Sequence, residues 1–243
     1  MELFPVRMID IKEEAPGIHT FCFDIPEGLT WEEGAHLHLA FPDFMESGRK
    51  DPEKVRHMSL SSLPDENRIA ITTRLNGSSP FKLRLAQLSR GDSMILYKIS
   101  SRLSLRRDNR PLKLISMGVG LAAFRPLLLA CARQSDGIPA LTSLTAVRPG
   151  EELFHQELDS LGSERLRQIY FHHRGDLIKA LSQQAAGSIF YIVGSELFLR
   201  DIIRHLRLLG IPDEDIIIDK KPEVRAMFLQ TMELISERPL ILS

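Results

Sequence analysis

Three short segments carry residue types that can do chemistry on a nucleotide: Arg56-His-Met-Ser59, Gly118-Val-Gly120 and Gly194-Ser195. Gly118 and Gly120 stand where an apolar strand, Lys113 to Met117, runs into a helix beginning at Leu121. With no Cβ at either position, the turn can take unusual dihedrals. Its N–H groups, that of Val119 included, can then approach phosphate or sugar at the positive end of a helix. A tight strand-to-helix turn with no ligand looks the same, so the pair gains weight only beside the other two segments. In a period-2 strand Arg56 and Met58 project to one face, and His57 and Ser59 to the other. One short strand thus offers a charge, a surface and a hydroxyl. Taken singly, these residues equally describe a solvated strand end, a core methionine and a barrel hydroxyl.

Arg148, closing Thr145-Ala-Val-Arg148, falls on a loop at the carboxyl end of a predicted strand, where ligands collect in open parallel sheets. It can hold a ribose phosphate or pyrophosphate, and it also fits an exposed loop arginine. No acidic residue follows that strand immediately, which favours NADPH over NADH. Histidines raise the question of a metal, since His36 and His38 share a strand face and His172 and His173 are adjacent. A site needs three or four convergent ligands. No His-Glu-x-x-His or Cys/His set is present, so no metal is expected, and no Gly-x-Ser-x-Gly elbow appears.

These residues need elements to hold them. Strands are predicted at Val6 to Lys12, Thr20 to Ile25, His36 to Phe41, His57 to Ser61, Ile69 to Leu75 and Ser93 to Ile99. The turn dipeptides and tripeptides between them, such as Ala15-Pro-Gly17 and Asn76-Gly77, suit a small antiparallel barrel or sandwich. One helix is expected within this half, capped by Ser79 with Pro80 at its first position and running through Phe81, Leu85 and Leu88. After the polar break Arg106 to Pro111, strands and helices alternate. Strands at Lys113 to Met117, Leu141 to Val147, Gln168 to His172, Ser188 to Val193 and Asp215 to Asp219 interleave with helices at Leu121 to Gln134, Glu152 to Leu161, Asp176 to Gln184 and Glu196 to Leu209. A final helix spans about Glu223 to Ser236. That alternation specifies an α/β unit, a parallel sheet covered on both faces. Two domains are therefore expected, 1–108 and 109–243.

Composition excludes other classes. Of the 243 residues, 43% are hydrophobic, enough for two medium cores. The net charge of −1 provides no field for nucleic acid. No apolar run approaches the roughly 20 residues of a membrane span, and the amino terminus has no secretory pattern; a cytoplasmic location is expected, without membrane insertion. The two cysteines, Cys22 and Cys131, are too few for an iron–sulfur centre and are read as core residues.

Together and in this order, Arg56-His-Met-Ser59, Gly118-Val-Gly-Leu-Ala-Ala-Phe124 and Val193-Gly-Ser195 resemble the ferredoxin-NADP reductase superfamily, whose segments read Arg-x-Tyr-Ser, Gly-Thr-Gly-Ile-Ala-Pro-Phe and Cys-Gly-Pro. The resemblance covers nearly the whole chain. It implies an FAD-binding antiparallel β-barrel with one helix over 1–108 and an NAD(P)-binding, Rossmann-like parallel sheet with a helical tail over 109–243. By the resemblance, Arg56 meets the diphosphate, Met58 packs on the isoalloxazine with His57 beside it, and Ser59 is the catalytic residue near N5. Thr72, Thr73 and Arg74 line the flavin and its phosphates. Ser79, Phe81 and Lys82 match a Ser-x-Phe-Lys segment of a bacterial branch, with Ser79 equally explained as a helix cap. Gly118, Val119, Gly120, Arg148, Gly194 and Ser195 take the nicotinamide nucleotide. Four departures stand out: Met58 replaces an aromatic residue, Val193 the cysteine, Lys98-Ile-Ser-Ser-Arg102 a Gly-Pro-x-Gly loop, and Lys221 the closing aromatic residue. A thioether still contributes roughly 0.3 to 1.5 kcal/mol of sulfur–aromatic contact. The implied activity is transfer of hydride from NAD(P)H to FAD, with electrons passed on to an acceptor protein, a free flavin or a ferric compound. The alternative is a relative that binds flavin or partners without catalysis.

Overall fold

The computed structural model describes residues 2–46, 48–75, 79–183 and 187–230. The predicted turn at Asn76-Gly77, the last residue of the helix predicted to reach Gln184, and the end of the helix predicted to reach Ser236 lie outside them.

Alternating apolar residues in the first hundred positions form six strands: β1 (Phe4–Ala15), β2 (Ile18–Phe23), β3 (Ala35–Ala40), β4 (Val55–Ser59), β5 (Ile69–Arg74) and β6 (Ser93–Ser101). They make one antiparallel sheet in the order β4-β3-β6-β1-β2-β5. Phe21, Phe23, Leu37, Leu39, Ile71 and Leu96 fill its concave face, sealed by Phe81 and Leu85 of the short helix α1 (Pro80–Leu85). Just past β4 the chain crosses to the opposite edge, where Ser61 N donates to Ala70 O at 2.8 Å. The two edge strands therefore meet beside Ser59, and the sheet becomes a half-barrel there.

In the second half, β7 (Leu112–Met117), β8 (Leu141–Ala146), β9 (Leu166–Phe171), β10 (Ile189–Val193) and β11 (Ile216–Ile218) form a parallel sheet in the order β11-β10-β7-β8-β9. Strands β7, β8 and β10 are buried along nearly their whole length, with Ser116, Ser143 and Thr145 inside as well as the apolar residues, and so require cover on both faces. Helices α2 (Leu121–Arg133), α3 (His155–Ser160), α4 (Arg174–Gln183), α5 (Glu196–Leu208) and α6 (Pro222–Gln230) are the second half's helices. The chain builds outward from β7 to β9, then returns to add β10 and β11 on the other side of β7. The strand order thus reverses between β7 and β10, and open sheets bind ligands at such a switch point, past the carboxyl ends of the strands. Gly118 and Gly194 sit there.

Each half has its own core, and one further cluster joins them. Ala15 and Ile18 of the half-barrel pack in the same cluster as Leu121, Phe124 and Leu127 of α2. The Tyr191 hydroxyl donates to Ser104 O at 2.9 Å and accepts from Arg106 N at 2.8 Å, fastening the connecting segment to β10. Four expectations need correction. Helix α1 ends at Leu85 rather than running through Leu88. Helix α3 starts at His155 rather than Glu152, because Phe154 holds a left-handed backbone at φ 57° that interrupts the helix. Strand β6 continues through the segment expected to be a changed loop, with Lys98 at φ 52° where the register against β3 slips. Ser79 does not cap α1 with its side chain; its hydroxyl instead accepts from Arg56 Nη2 at 3.0 Å.

Candidate functional site

A cleft of about 670 Å³ opens between the meeting edges of the half-barrel and the switch point of the parallel sheet. That volume lies within the usual range for small-molecule sites. His57, Met58 and Ser59 from β4, and Thr72, Thr73 and Arg74 from β5, line one wall. Gly118, Val119, Gly120, Arg148, Gly194 and Ser195 line the other. Two segments predicted from opposite halves of the chain therefore face each other.

The three glycines have different reasons to lack a side chain. Gly118 has φ 54°, and a Cβ there would meet no atom within 4 Å, so its bare face opens on the cleft. Gly120 has φ −58°, and its Cβ would stand 3.0 Å from Val193 O and 3.3 Å from Val193 Cγ1. Gly194 would place a Cβ 2.5 Å from the ring of Phe198. Gly120 and Gly194 are thus required by packing of α2 and α5 on β10, and Gly118 by the turn and the open space before it. Ser195 caps α5, its Oγ accepting from Phe198 N at 3.3 Å.

Arg56, Ser79, Phe81 and Lys82 lie outside the lining of this cleft and form a second group. The Arg56 guanidinium donates to Val55 O at 2.8 Å, Pro52 O at 2.5 Å and Ser79 Oγ at 3.0 Å, and sits 5.4 Å over the Phe81 ring. Phe81 itself is buried in the half-barrel core, so its side chain packs and does not face a ligand. Lys82 has its pKa lowered by burial first and then by the charges of Arg56 and Arg74. A cation penalised chiefly by burial, with two guanidinium charges adding to the penalty, is one that a bound anion relieves. The residues therefore fit the diphosphate of a flavin nucleotide. Arg74 is also engaged across the cleft: its guanidinium binds Glu151 bidentately at 2.8 and 2.5 Å, and holds that carboxyl below its usual pKa.

Met117, Glu151, His172, Arg174 and Val193 also line the cleft, in addition to the residues the sequence analysis assigned to it. Arg174 had a legible signal, since it follows β9 much as Arg148 follows β8. It pairs with Asp201 and lies 5.7 Å over the Phe198 ring.

Behind β4, His36 is buried with Nε2 3.0 Å from Ser100 Oγ and its ring 4.4 Å from that of His57. Burial is the main cause that lowers its pKa to about 4; the charge of Asp219 opposes, and His57, Arg102 and His38 add to the lowering. Asp219 faces Arg102 at 3.6 Å. His38 stacks on Tyr97 at 4.9 Å. Among the described residues, no group of three or more His, Cys, Asp or Glu side chains is placed to hold a metal ion.

A larger crevice of about 920 Å³ is lined by residues of β1, β2, α3 and β9, with Arg125 of α2 in its wall. Its cations face carboxylates: Lys12 with Glu14, Arg68 with Glu66, Arg125 with Glu157 and His172 with Glu152.

No family model matches the sequence, and no curated protein matches it. Solved structures do. A ferredoxin NADP+ reductase from Neisseria gonorrhoeae with bound FAD and NADP superposes with a TM-score of 0.75 at 17% identity, over 90% of this chain and 98% of that one. The CS-b5R domains of human Ncb5or, in the NAD+ form, give 0.75 at 15% identity, over 90% and 70%. The flavohem-like FAD/NAD binding domain of nitric oxide dioxygenase from Vibrio cholerae gives 0.69 at 20% identity, over 88% and 97%. The chain thus has the two-domain fold of the ferredoxin-NADP reductases, in agreement with the resemblance drawn from its motifs. Among the described residues, no helix is long and apolar enough to cross a membrane.

Proposed function

We propose that this chain is a flavin-dependent oxidoreductase that binds FAD on the half-barrel, 1–108, and NAD(P)H on the parallel-sheet half, 109–243. The observation that carries the reading is the meeting of Ser59, Thr72 and Arg74 with the Gly118–Gly120 turn across one cleft. The flavin, when bound, supplies the redox chemistry, taking hydride from the nicotinamide and releasing electrons to an acceptor protein, a free flavin or a ferric compound. The protein supplies position and charge. Arg56, Lys82 and Arg74 hold the diphosphate through charge-assisted hydrogen bonds. Ser59, which lines the cleft at the end of β4, would offer its hydroxyl to the flavin ring. Gly118 lets the nucleotide approach bare backbone. Arg148 and Arg174, at the carboxyl ends of the neighbouring strands β8 and β9, suit a 2′-phosphate and favour NADPH, as does the absence of an acidic residue directly after β8.

The rival reading, a flavin-binding or partner-binding protein without catalysis, is favoured by one observation, the capture of Arg74 by Glu151. The purified protein decides between them by its visible spectrum, with added FAD where needed, followed by anaerobic NADPH or NADH. A yellow protein bleached by one nucleotide supports the oxidoreductase. A colourless protein that takes up no FAD refutes it.

A further inference from the structure

Arg125 lies in α2, five residues past Gly120, on an otherwise apolar face between Phe124 and Pro126. Its side chain is 7% exposed. A guanidinium carries five N–H donors, and here each has an acceptor. Nε and Nη2 bind Glu157 of α3 at 2.7 and 2.5 Å. Nη1 binds Ser61 O at 2.6 Å and Glu66 Oε2 at 3.0 Å, and Nη2 binds Glu66 Oε1 at 2.8 Å. The Glu157 leg stays within the parallel-sheet half. The Ser61 and Glu66 legs cross to the loop between β4 and β5.

That loop is the continuation of the strand that carries Ser59. Ser61 is two residues further on, and its hydroxyl shares a hydrogen bond with Thr72 in the cleft wall at 2.9 Å. Glu66 Oε2 also accepts from Leu63 N at 2.7 Å, so the loop is pinned at both Ser61 and Leu63. One buried side chain therefore links the segment after Ser59 to the helix that begins at the glycine turn.

We propose that Arg125 is the joint that sets the separation of Ser59 from the Gly118–Gly120 turn, and so acts as a positioning residue for hydride transfer; the inference rests on the flavin and nicotinamide reading of the cleft given above. Displacing reacting groups by about 1 Å can cost on the order of 100-fold in rate. A joint built from five hydrogen bonds in a buried site resists that displacement, and it can be loosened one leg at a time.

Glu66→Gln and Glu157→Gln are matched isosteric changes to the crossing leg and the internal leg. Arg125→Lys keeps the charge and loses the fork. In the flavin-free proteins, amide hydrogen exchange over residues 60–70 reports the joint directly. So does the emission of Trp31, the single tryptophan, whose Nε1 donates to Ser62 O at 2.8 Å. In the FAD-loaded proteins, the rate of reduction at saturating NADPH reports its consequence. Expected is faster exchange over 60–70, a shifted Trp31 emission and a reduction rate lowered roughly 10-fold or more in Glu66→Gln and Arg125→Lys, with KM little changed and Glu157→Gln close to the parent. Equal exchange in all the proteins, or equal loss of rate and melting temperature in both glutamine variants, overturns the proposal and leaves Arg125 a structural ion pair. If NADPH does not bleach the FAD-loaded parent, the functional reading fails, and the exchange data still decide whether Arg125 forms the joint.

Discussion

Replacing Gly118 and Gly120 by alanine separates the demands of a turn from those of a ligand. At Gly120 the backbone is ordinary, φ −58°, and the added methyl would press on Val193 O at 3.0 Å and Cγ1 at 3.3 Å. The whole cost is steric and falls on the packing of α2 against β10, about 1–3 kcal/mol by analogy with overpacked cores. At Gly118 the methyl meets nothing within 4 Å, and the cost is the left-handed backbone at φ 54°, about 1 kcal/mol for a residue with a Cβ. In a chain of this size 1 kcal/mol is about 2–4 °C in melting temperature. On stability alone, Gly120→Ala is the more damaging change. For nucleotide binding the order inverts, because only the Gly118 methyl projects into open space at the cleft. Gly118→Ala is expected to weaken NADPH binding at least about 10-fold, or about 1.4 kcal/mol, with Gly120→Ala affecting affinity less than melting. Gly118→Asn sharpens the test. Asparagine tolerates the left-handed region, so it should recover part of the lost melting temperature while obstructing the nucleotide further. Melting curves beside NADPH titrations followed by flavin absorbance measure both quantities. If Gly118→Ala and Gly118→Asn bind NADPH within twofold of the parent, the turn is purely structural and the nucleotide has been placed wrongly.

Arg56→Ala is expected to lower FAD retention, and Ser59→Ala to slow reduction while leaving occupancy largely intact; parental behaviour in both would displace the flavin from β4. Glu151→Gln removes the carboxylate that holds Arg74, so FAD should bind several-fold more tightly, by isothermal titration, and unchanged or weaker binding would remove Arg74 from the phosphate site. Acid should destabilise the fold through His36, whose pKa is about 4 when folded against 6.5 when exposed. Between those values the unfolded chain binds more protons, so stability rises with pH there, and about 2 kcal/mol is lost from pH 7 to pH 5. Urea midpoints at the two pH values measure this, with His36→Asn expected to flatten the difference and equal midpoints in the parent counting against it.

The strands and most helices were legible because their signals are local. Apolar alternation marks β1 to β6, and the run Ile189–Val193 carries the continuous apolar character of a buried parallel strand, while Leu112–Met117 is apolar at four of its six positions, with Lys113 and Ser116 between them. The exceptions come from backbone states that residue type does not mark. Phe154 at φ 57° delays α3, though aromatic residues are not enriched in that region. Lys98 at φ 52° slips the register of β6 and lets the strand run on to Ser101, where sequence alone indicated an altered loop.

The site was legible where residue type and chain position coincide and hidden where a partner lies far along the chain. Gly118 and Arg148 could be expected at a cleft because each follows the end of a recognisable strand, and Ser59 and Thr72 because the motifs that carry them resemble the flavin-lining strands of a known family. Nothing local to Ser79 shows that its hydroxyl belongs to Arg56, 23 residues away, or that Arg74 will find Glu151, 77 residues away. Arg125 is the extreme case, since the surrounding Leu121 to Leu129 reads as the apolar spine of a helix, and its charge is explained only by acceptors 32, 59 and 64 residues distant. Buried ion pairs are costly unless every donor is met. A charged residue inside an apolar helical run beside a glycine turn is therefore itself a sequence signal: it requires acceptors, and when the helix's own half provides only some of them, the remainder must come across the cleft.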